Sequence, residues 1–281
     1  MQKVALEVHR KTDFLSLKAP EGAPAKILDM CMAPGSFLQQ ARCFNPQATA
    51  RAFTLPPEVG GHKVLLSKDQ NTQAEYLDIV MLAGDMGVPL ESIPSTHPDA
   101  GNFLSRRFSD DEGFDLIICD GQVLRTHVRP AYREKREATR LTLTQLSIGL
   151  SHIRPGGTML ILLHRIESLK CVELLRTFSA FSTIQVVKPQ ALHANRSSCY
   201  LIAKNINPEH ETALSAVQTW RRLWKSVTFH TEEEYEVLER SLRPDVSELL
   251  EDFGEELLKL GRPVWELQRK ALAKAPYRKK L

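Results

Sequence analysis

Long apolar runs are missing from this 281-residue chain. No stretch reaches the roughly 18 consecutive apolar residues that a membrane-spanning helix requires, so no membrane partner is expected. The opening stretch MQKVALEVHRKTDF lacks the apolar centre of a secretory signal, though a longer natural N-terminus stays open. Paired cysteines are missing too. Cys31, Cys43, Cys119, Cys171 and Cys199 form no CxxC pair, and three of them (31, 119 and 199) fall in or beside strand-like runs, where cysteine acts as a small buried hydrophobe. This usage points to a reducing, intracellular setting, in cytoplasm or nucleus. The nine histidines show no HxxxH spacing and none lies near two cysteines, so no metal site is expected. Nor is there a large excess of charge. The formal net charge is +3, which by itself indicates no polyanionic partner.

What charge there is clusters. Residues 262–280 carry Arg262, Arg269, Lys270, Lys274, Arg278, Lys279 and Lys280 against Glu266, and a second basic group runs from Arg125 to Arg140. Either is a solvated helix face or a surface for phosphates.

With 42% hydrophobic residues the chain can bury one large α/β domain plus an appendage. Strand-like runs occur at 26–30, 48–55, 74–79, 114–120, 157–164, 183–189 and 199–205. Helical patterns follow the first (36–43) and the fifth (168–178), and a longer one spans 132–153, where Ala138, Leu141, Leu146, Ile148, Leu150 and Ile153 form an apolar stripe. Alternating strands and helices predict a doubly wound, mostly parallel sheet. The last two strands are joined by too short a loop for a helical crossover, so they are expected to pair antiparallel. From about 208 the pattern is helical: 211–227, 231–242 with Thr231 and Glu234 as a capping box, 244–261 between Pro244 and Gly261, and 263–275. The expected division is therefore a domain of residues 1–207 and a helical extension of 208–281, the latter open to a protein partner.

The stretch KILDMCMAPGSFLQQA (26–41) is the most informative. Ligands of open α/β sheets bind beyond the carboxyl ends of the strands. Here Gly35 permits a tight turn and Pro34 stiffens it. Neither GxxxxGK[ST] nor GxGxxG is present, and Asp29 at the strand end would repel a phosphate. It suits a zwitterionic or cationic ligand, unless the segment is simply an ordinary tight turn.

Four segments together carry a resemblance. DMCMAPGSF (29–37), FDLIICDGQ (114–122), RPGGTMLILL (154–163) and VVKP…NRSSCYLIAKN (186–205) are similar, in order, to the motifs of the FtsJ-like RNA 2′-O-methyltransferases, and cover about residues 10–206. The resemblance implies a Rossmann-like methyltransferase fold, with the antiparallel hairpin at one sheet end. It implies S-adenosylmethionine as cofactor and RNA as partner. Asp29, Ala33, Pro34, Gly35 and Phe37 would line the methionine and ribose side, with Cys31 and Ser36 between them. Asp78, at the end of the third strand, would accept from the adenine amino group. Asp120 would be catalytic and close to the cofactor, Gln122, Arg125 and His127 are candidates for the substrate side, and Lys188 would be either substrate-facing or structural.

Two departures concern the cofactor. Ser36 stands where the family has a second glycine, which requires a negative φ there. No acid follows the second strand (AFTLPP) to hold the ribose hydroxyls, as is also the case in cap-type members.

The family's Lys-Asp-Lys-Glu tetrad is mostly gone. Only Asp120 remains. Leu162 stands at the strand lysine and Ser198 at the glutamate, while the first lysine would fall near Arg10 or Lys11. His164, on the same strand face as Leu162, is a candidate substitute base. Its plainer alternative is a strand-end histidine at the surface. Trp220 and Trp224, with Arg221 and Arg222 between them, suit either phosphate contacts or a helix anchor. Three functions are therefore open: RNA ribose 2′-O-methylation, a catalytically degenerate cofactor-binding scaffold, or methyl transfer to a non-RNA acceptor.

Overall fold

The structure, a computed structural model, describes residues 1–19, 21–67 and 69–274. The basic residues Arg278, Lys279 and Lys280, and the end of the helix expected at 263–275, lie outside these.

Seven strands form one sheet: β1 (Lys26–Asp29), β2 (Thr49–Thr54), β3 (Thr72–Tyr76), β4 (Phe114–Cys119), β5 (Ile153–His164), β6 (Thr183–Val187) and β7 (Ser198–Lys204). Their order is β3-β2-β1-β4-β5-β7-β6. The first five run parallel, and β7 inserts antiparallel between β5 and β6. The expected sheet and hairpin are thus present. After β3 the chain returns to place β4 beside β1, and this reversal leaves a crevice at the carboxyl ends of those two strands.

The central strands are apolar on both faces because both are covered. Ile27, Leu116, Ile118, Leu160, Tyr200 and Ile202 face helices α1 (Gln2–Thr12) and α2 (Ser36–Phe44). Leu28, Ile117, Met159, Ile161 and Leu201 face the other way, into a larger cluster. That cluster holds α3 (Glu137–His152), α4 (Leu169–Ser179) and α5 (Glu211–Phe229). Trp224 of α5 is fully buried in it and Trp220 nearly so, so these tryptophans anchor a helix and do not face phosphates. The helices after residue 208 therefore share the sheet's own core. α6 (Glu232–Ser241) begins with the expected capping box of Thr231 and Glu234.

Four local expectations change. α1 was not foreseen as a helix; Val4, Ala5 and Val8 give it a narrow buried stripe in an otherwise polar segment. β3 ends at Tyr76, and Asp78 lies beyond it, its Oδ1 accepting from Val80 N–H at 3.2 Å to cap a 3₁₀ turn. The helix expected over 132–153 starts only at Glu137, after a separate 3₁₀ turn at Ala131–Arg133. The two helices expected at 244–261 and 263–275 are one, α7 (Val246–Ala273), with Pro263 inside. Gly261 is not a stop signal there. A Cβ on it would lie 2.5 Å from the Trp265 ring, so the glycine makes room for that side chain within the helix.

Candidate active site

A cavity of about 290 Å³ occupies the crevice at the ends of β1 and β4. Its floor is the β1–α2 turn. Gly35 takes φ 103°, open to glycine and strained for other residues, and caps α2. Ser36 is the first residue of α2 and is not among the residues with positive φ, so the departure from a second glycine is accommodated. Asp29, Cys31, Ala33, Pro34, Ser36 and Phe37 all line the cavity; Gly35 shapes the turn without forming wall.

Asp29 is 2% exposed, and its recorded hydrogen bond is from Cys31 N–H at 3.2 Å. Burial pushes its carboxyl up to about 8, against the pull of that N–H, and Asp120 pushes it further. Cys31 is held well above the ordinary thiol value by burial and by Asp29, so it is no nucleophile at neutral pH. Asp120, just past the end of β4, accepts from the Tyr200 hydroxyl at 2.9 Å. Burial raises its carboxyl to about 7, and the Tyr200 bond opposes that rise. The Asp120 turn is fixed from α3, where Gln145 Oε1 accepts from Gly121 N–H at 2.9 Å. A Cβ at Gly121 would meet Cys31 Sγ at 2.4 Å, which explains the Asp-Gly pair.

At the opposite end of the cavity Asp78 is engaged by an arginine. Arg133, 4% exposed, donates from Nη2 to Asp78 Oδ2 at 2.7 Å and from Nε to Glu137 Oε2 at 3.0 Å. His127 lies 3.8 Å from each of these two carboxylates, and burial lowers its pKa despite them. Asp78, His127 and Glu137 bring three possible metal-ligand atoms within 4.8 Å of one another. The Arg133 guanidinium already supplies their positive charge, and a cation would have to displace it.

The sequence missed several wall residues. Thr54 ends β2, Leu55 and His62 follow it, and Glu137 comes from α3. Only the PPEVGGH turn after β2 hinted at the first group; Glu137 shares Arg133 with Asp78, which is 59 positions away, and nothing in the sequence marked that link.

Other expected site residues lie elsewhere. His164 and Leu162 line a second cavity, of about 240 Å³, whereas Asp120 lines only the first. Gln122 lines both. Arg125 is exposed on the loop after it and lines neither. Lys188 is 3% exposed and donates to the carbonyls of Ser198 at 2.9 Å and Arg196 at 2.5 Å. It ties down the β6–β7 loop and is not placed to meet a substrate. Ser198 is buried, with its Oγ 2.7 Å from His193 Nδ1. Arg10 and Lys11 sit near the far end of α1, while Met1 at its other end lines the cavity, about 13 Å away at 1.5 Å per residue.

The basic stretch 125–140 is mostly internal. Arg133 and Arg140 are buried, Arg136 pairs with Glu232 and Arg129 with Glu134. Arg125 and Lys135 are the exposed cations left in no ion pair among the described residues.

A buried acid that lines a cavity and has no cationic partner among the described residues fits a ligand with a positive charge, and Asp29 meets that condition for S-adenosylmethionine. Among solved structures, similar ones include human methyltransferase-like protein 13 in complex with SAH, at 18% identity and TM-score 0.43 over 88% of this chain and 99% of that one. The N-methyltransferase NodS from Bradyrhizobium japonicum WM9 is 16% identical, with TM-score 0.42 over 74% of this chain and all (100%) of that one. An rRNA methylase from Streptococcus thermophilus is 12% identical, with TM-score 0.40 over 72% and 97% respectively. No curated protein matches the chain. No helix among the described residues is long and apolar enough to cross a membrane. The profile of the FtsJ-like methyltransferases matches residues 6–206, and the chain belongs to that family of S-adenosylmethionine-dependent methyltransferases.

Proposed function

We propose that this protein methylates RNA at a ribose 2′-hydroxyl, with Asp120 as the group that orients the hydroxyl and accepts its proton. The observation that carries the reading is Asp120 itself. Of the family tetrad it alone is kept, it lines the cavity, and its carboxyl sits at about 7. A base with a pKa near the working pH combines a useful ionised fraction with real proton affinity.

When bound, S-adenosylmethionine supplies an electrophilic methyl group on a sulfonium. Asp29 would take the ammonium of its amino-acid end. Asp78, with Arg133 holding one of its oxygens, would face the adenine amino group at the other end. Tyr200 fixes the Asp120 carboxylate by its hydroxyl, so that the remaining oxygen lone pairs point to the acceptor. Alignment of the acceptor hydroxyl then contributes much of the acceleration.

A second reading rests on Leu162 and Ser198, which stand where the family carries its lysine and glutamate. It is a cofactor-binding protein that no longer transfers methyl groups to ribose. One experiment separates the two. The purified protein and its Asp120→Asn variant are incubated with methyl-labelled cofactor and total RNA, and the RNA is digested to nucleosides. Label in 2′-O-methyl nucleosides, absent with the variant, supports ribose methylation. Cofactor binding without any labelled nucleoside favours the second reading.

A further inference from the structure

The second cavity adjoins the first. Both are lined by Gly121, Gln122, Val123 and Leu141, so a group held in one lies across a shared wall from the other. It opens above the ends of β4 and β5, beside α3. At about 240 Å³ it is smaller than the roughly 300–1,000 Å³ of sites that enclose a whole drug-sized ligand, and takes one ring system.

The walls are mainly aliphatic, from Leu141, Leu146, Ile161 and Leu162. No lysine, arginine, aspartate or glutamate lines it, so it offers nothing to a phosphate or a carboxylate. Leu162 is the residue that replaces the family lysine, and the replacement turns a charged position into apolar wall. Of the polar side chains present, Gln145 is occupied by Gly121, and Thr142 Oγ1 donates to Ala138 O at 2.9 Å. Gln122 and His164 make no side-chain hydrogen bond among the described residues. His164 is exposed at the mouth of the slot, partial burial of its ring lowers its pKa, and the neutral ring has one donor and one acceptor nitrogen. The Gln122 amide likewise has both.

We propose that this slot binds the base of the acceptor nucleotide, with aliphatic walls on its faces and Gln122 and His164 on its hydrogen-bonding edge. Unstacked bases of single-stranded RNA are recognised in this manner, by packing on their faces and hydrogen bonds at their edges. The proposal rests on the RNA reading above and assigns His164 to base recognition in place of proton transfer.

The test uses the full chain saturated with S-adenosylhomocysteine. The four ribonucleoside 5′-monophosphates are titrated in turn, with ribose 5-phosphate as the probe lacking a base. At least one nucleotide is expected to bind ten or more times tighter than ribose 5-phosphate. Ala138→Trp, which fills the slot from an exposed position of α3, should weaken that nucleotide at least tenfold and leave S-adenosylhomocysteine affinity unchanged. Gln122→Ala, should the tryptophan variant not fold, must reduce the preference among the four bases. Equal binding of ribose 5-phosphate and all four nucleotides overturns the proposal, as does an unchanged nucleotide affinity in the folded variants. Failure of the parent reading looks different: no labelled 2′-O-methyl nucleoside forms from RNA although S-adenosylhomocysteine binds, while tighter binding of a nucleotide than of ribose 5-phosphate would still support the slot.

Discussion

Tyr200 of β7 reaches over β5 to donate its hydroxyl to Asp120 at the end of β4, 2.9 Å away. The residue beneath that span, paired in register with Tyr200, is Leu162. A tyrosine thus supplies Asp120 with a hydrogen-bond donor from the strand beside Leu162, the position where the family carries a lysine. Removing only the hydroxyl, by Tyr200→Phe, keeps the ring that packs on Phe37. A hydrogen bond to the ionised form holds a carboxyl pKa down, so its loss raises Asp120 above about 7. The alkaline-going limb of the methyl-transfer rate should move up by about 1–2 pH units, with a lower rate at pH 7. A pH–rate profile measures this. An unmoved limb would mean that Asp120 is not the base.

Asp29→Asn keeps the shape of the side chain and removes its charge. Loss of one partner of a buried charge pair costs about 2–5 kcal/mol, so affinity for S-adenosylmethionine should fall by at least thirtyfold in calorimetry. The unliganded protein should respond oppositely. Asp29 has a folded pKa of about 8, above its value of 3.8 in an unfolded chain. The folded state therefore binds this proton more tightly, and the stability tied to it is complete below pH 4 and drains away as pH rises to 8. The difference in Tm between the variant and the parent should grow in the variant's favour from pH 5 to pH 8. A constant difference would contradict the buried, unpaired placement of Asp29.

Arg133 holds together acids from three separate segments: Asp78 after β3, Asp99 in the following loop at 3.6 Å, and Glu137 at the start of α3. Arg133→Gln removes the shared cation from buried Asp99 and Glu137 and from half-buried Asp78, leaving only Arg140, 3.7 Å from Glu137. Breaking such a cluster from one side costs about 3–5 kcal/mol, visible as a large fall in Tm or denaturant midpoint. The companion variant Glu137→Gln reduces the excess of negative charge, so the double variant should be less destabilised than the sum of the two singles. Additive effects would show that the guanidinium and Glu137 do not act on each other.

How far the sequence reaches is visible in these same residues. Asp29, the Ala-Pro-Gly turn and Asp120 were legible because each sits at a strand end, in a short motif whose chemistry is local. The seven strands were legible from apolar runs, and the hairpin from one loop length. Arg133 was read as part of a basic surface because a sequence shows charge without burial; its partners Asp78 and Asp99 are 55 and 34 positions upstream. For Lys188 the sequence leaves a structural and a substrate-facing role open, and burial decides for the first: it is spent on two carbonyls, of Arg196 and Ser198. His164 suggests itself as a substitute base because alternation puts it on the same strand face as Leu162, and alternation does not say into which cavity a side chain opens.

Gly60 offers a test of the cavity's cover. Two loops meet above it, one after β2 and one after β4, contributing His62 to the wall from one side and Leu124 and His127 from the other. They are joined by Thr126 Oγ1 donating to Gly60 O at 2.7 Å and by Val128 N–H donating to Val59 O at 2.9 Å. Gly60 takes φ 92°, and a Cβ there would lie 1.9 Å from the Thr126 carbonyl oxygen. Gly60→Ala must therefore push the loops apart, since neither contact partner is a movable side-chain tip. The strain is local, worth about 1–3 kcal/mol, so the protein should remain folded with a modest loss of Tm. Its affinity for S-adenosylmethionine should fall about tenfold or more, because the walls that Leu124 and His127 form move outward and admit water. Thr126→Ala removes one hydrogen bond without a clash and should fall between the two. If Gly60→Ala binds as tightly as the parent, the two loops do not close over the cofactor.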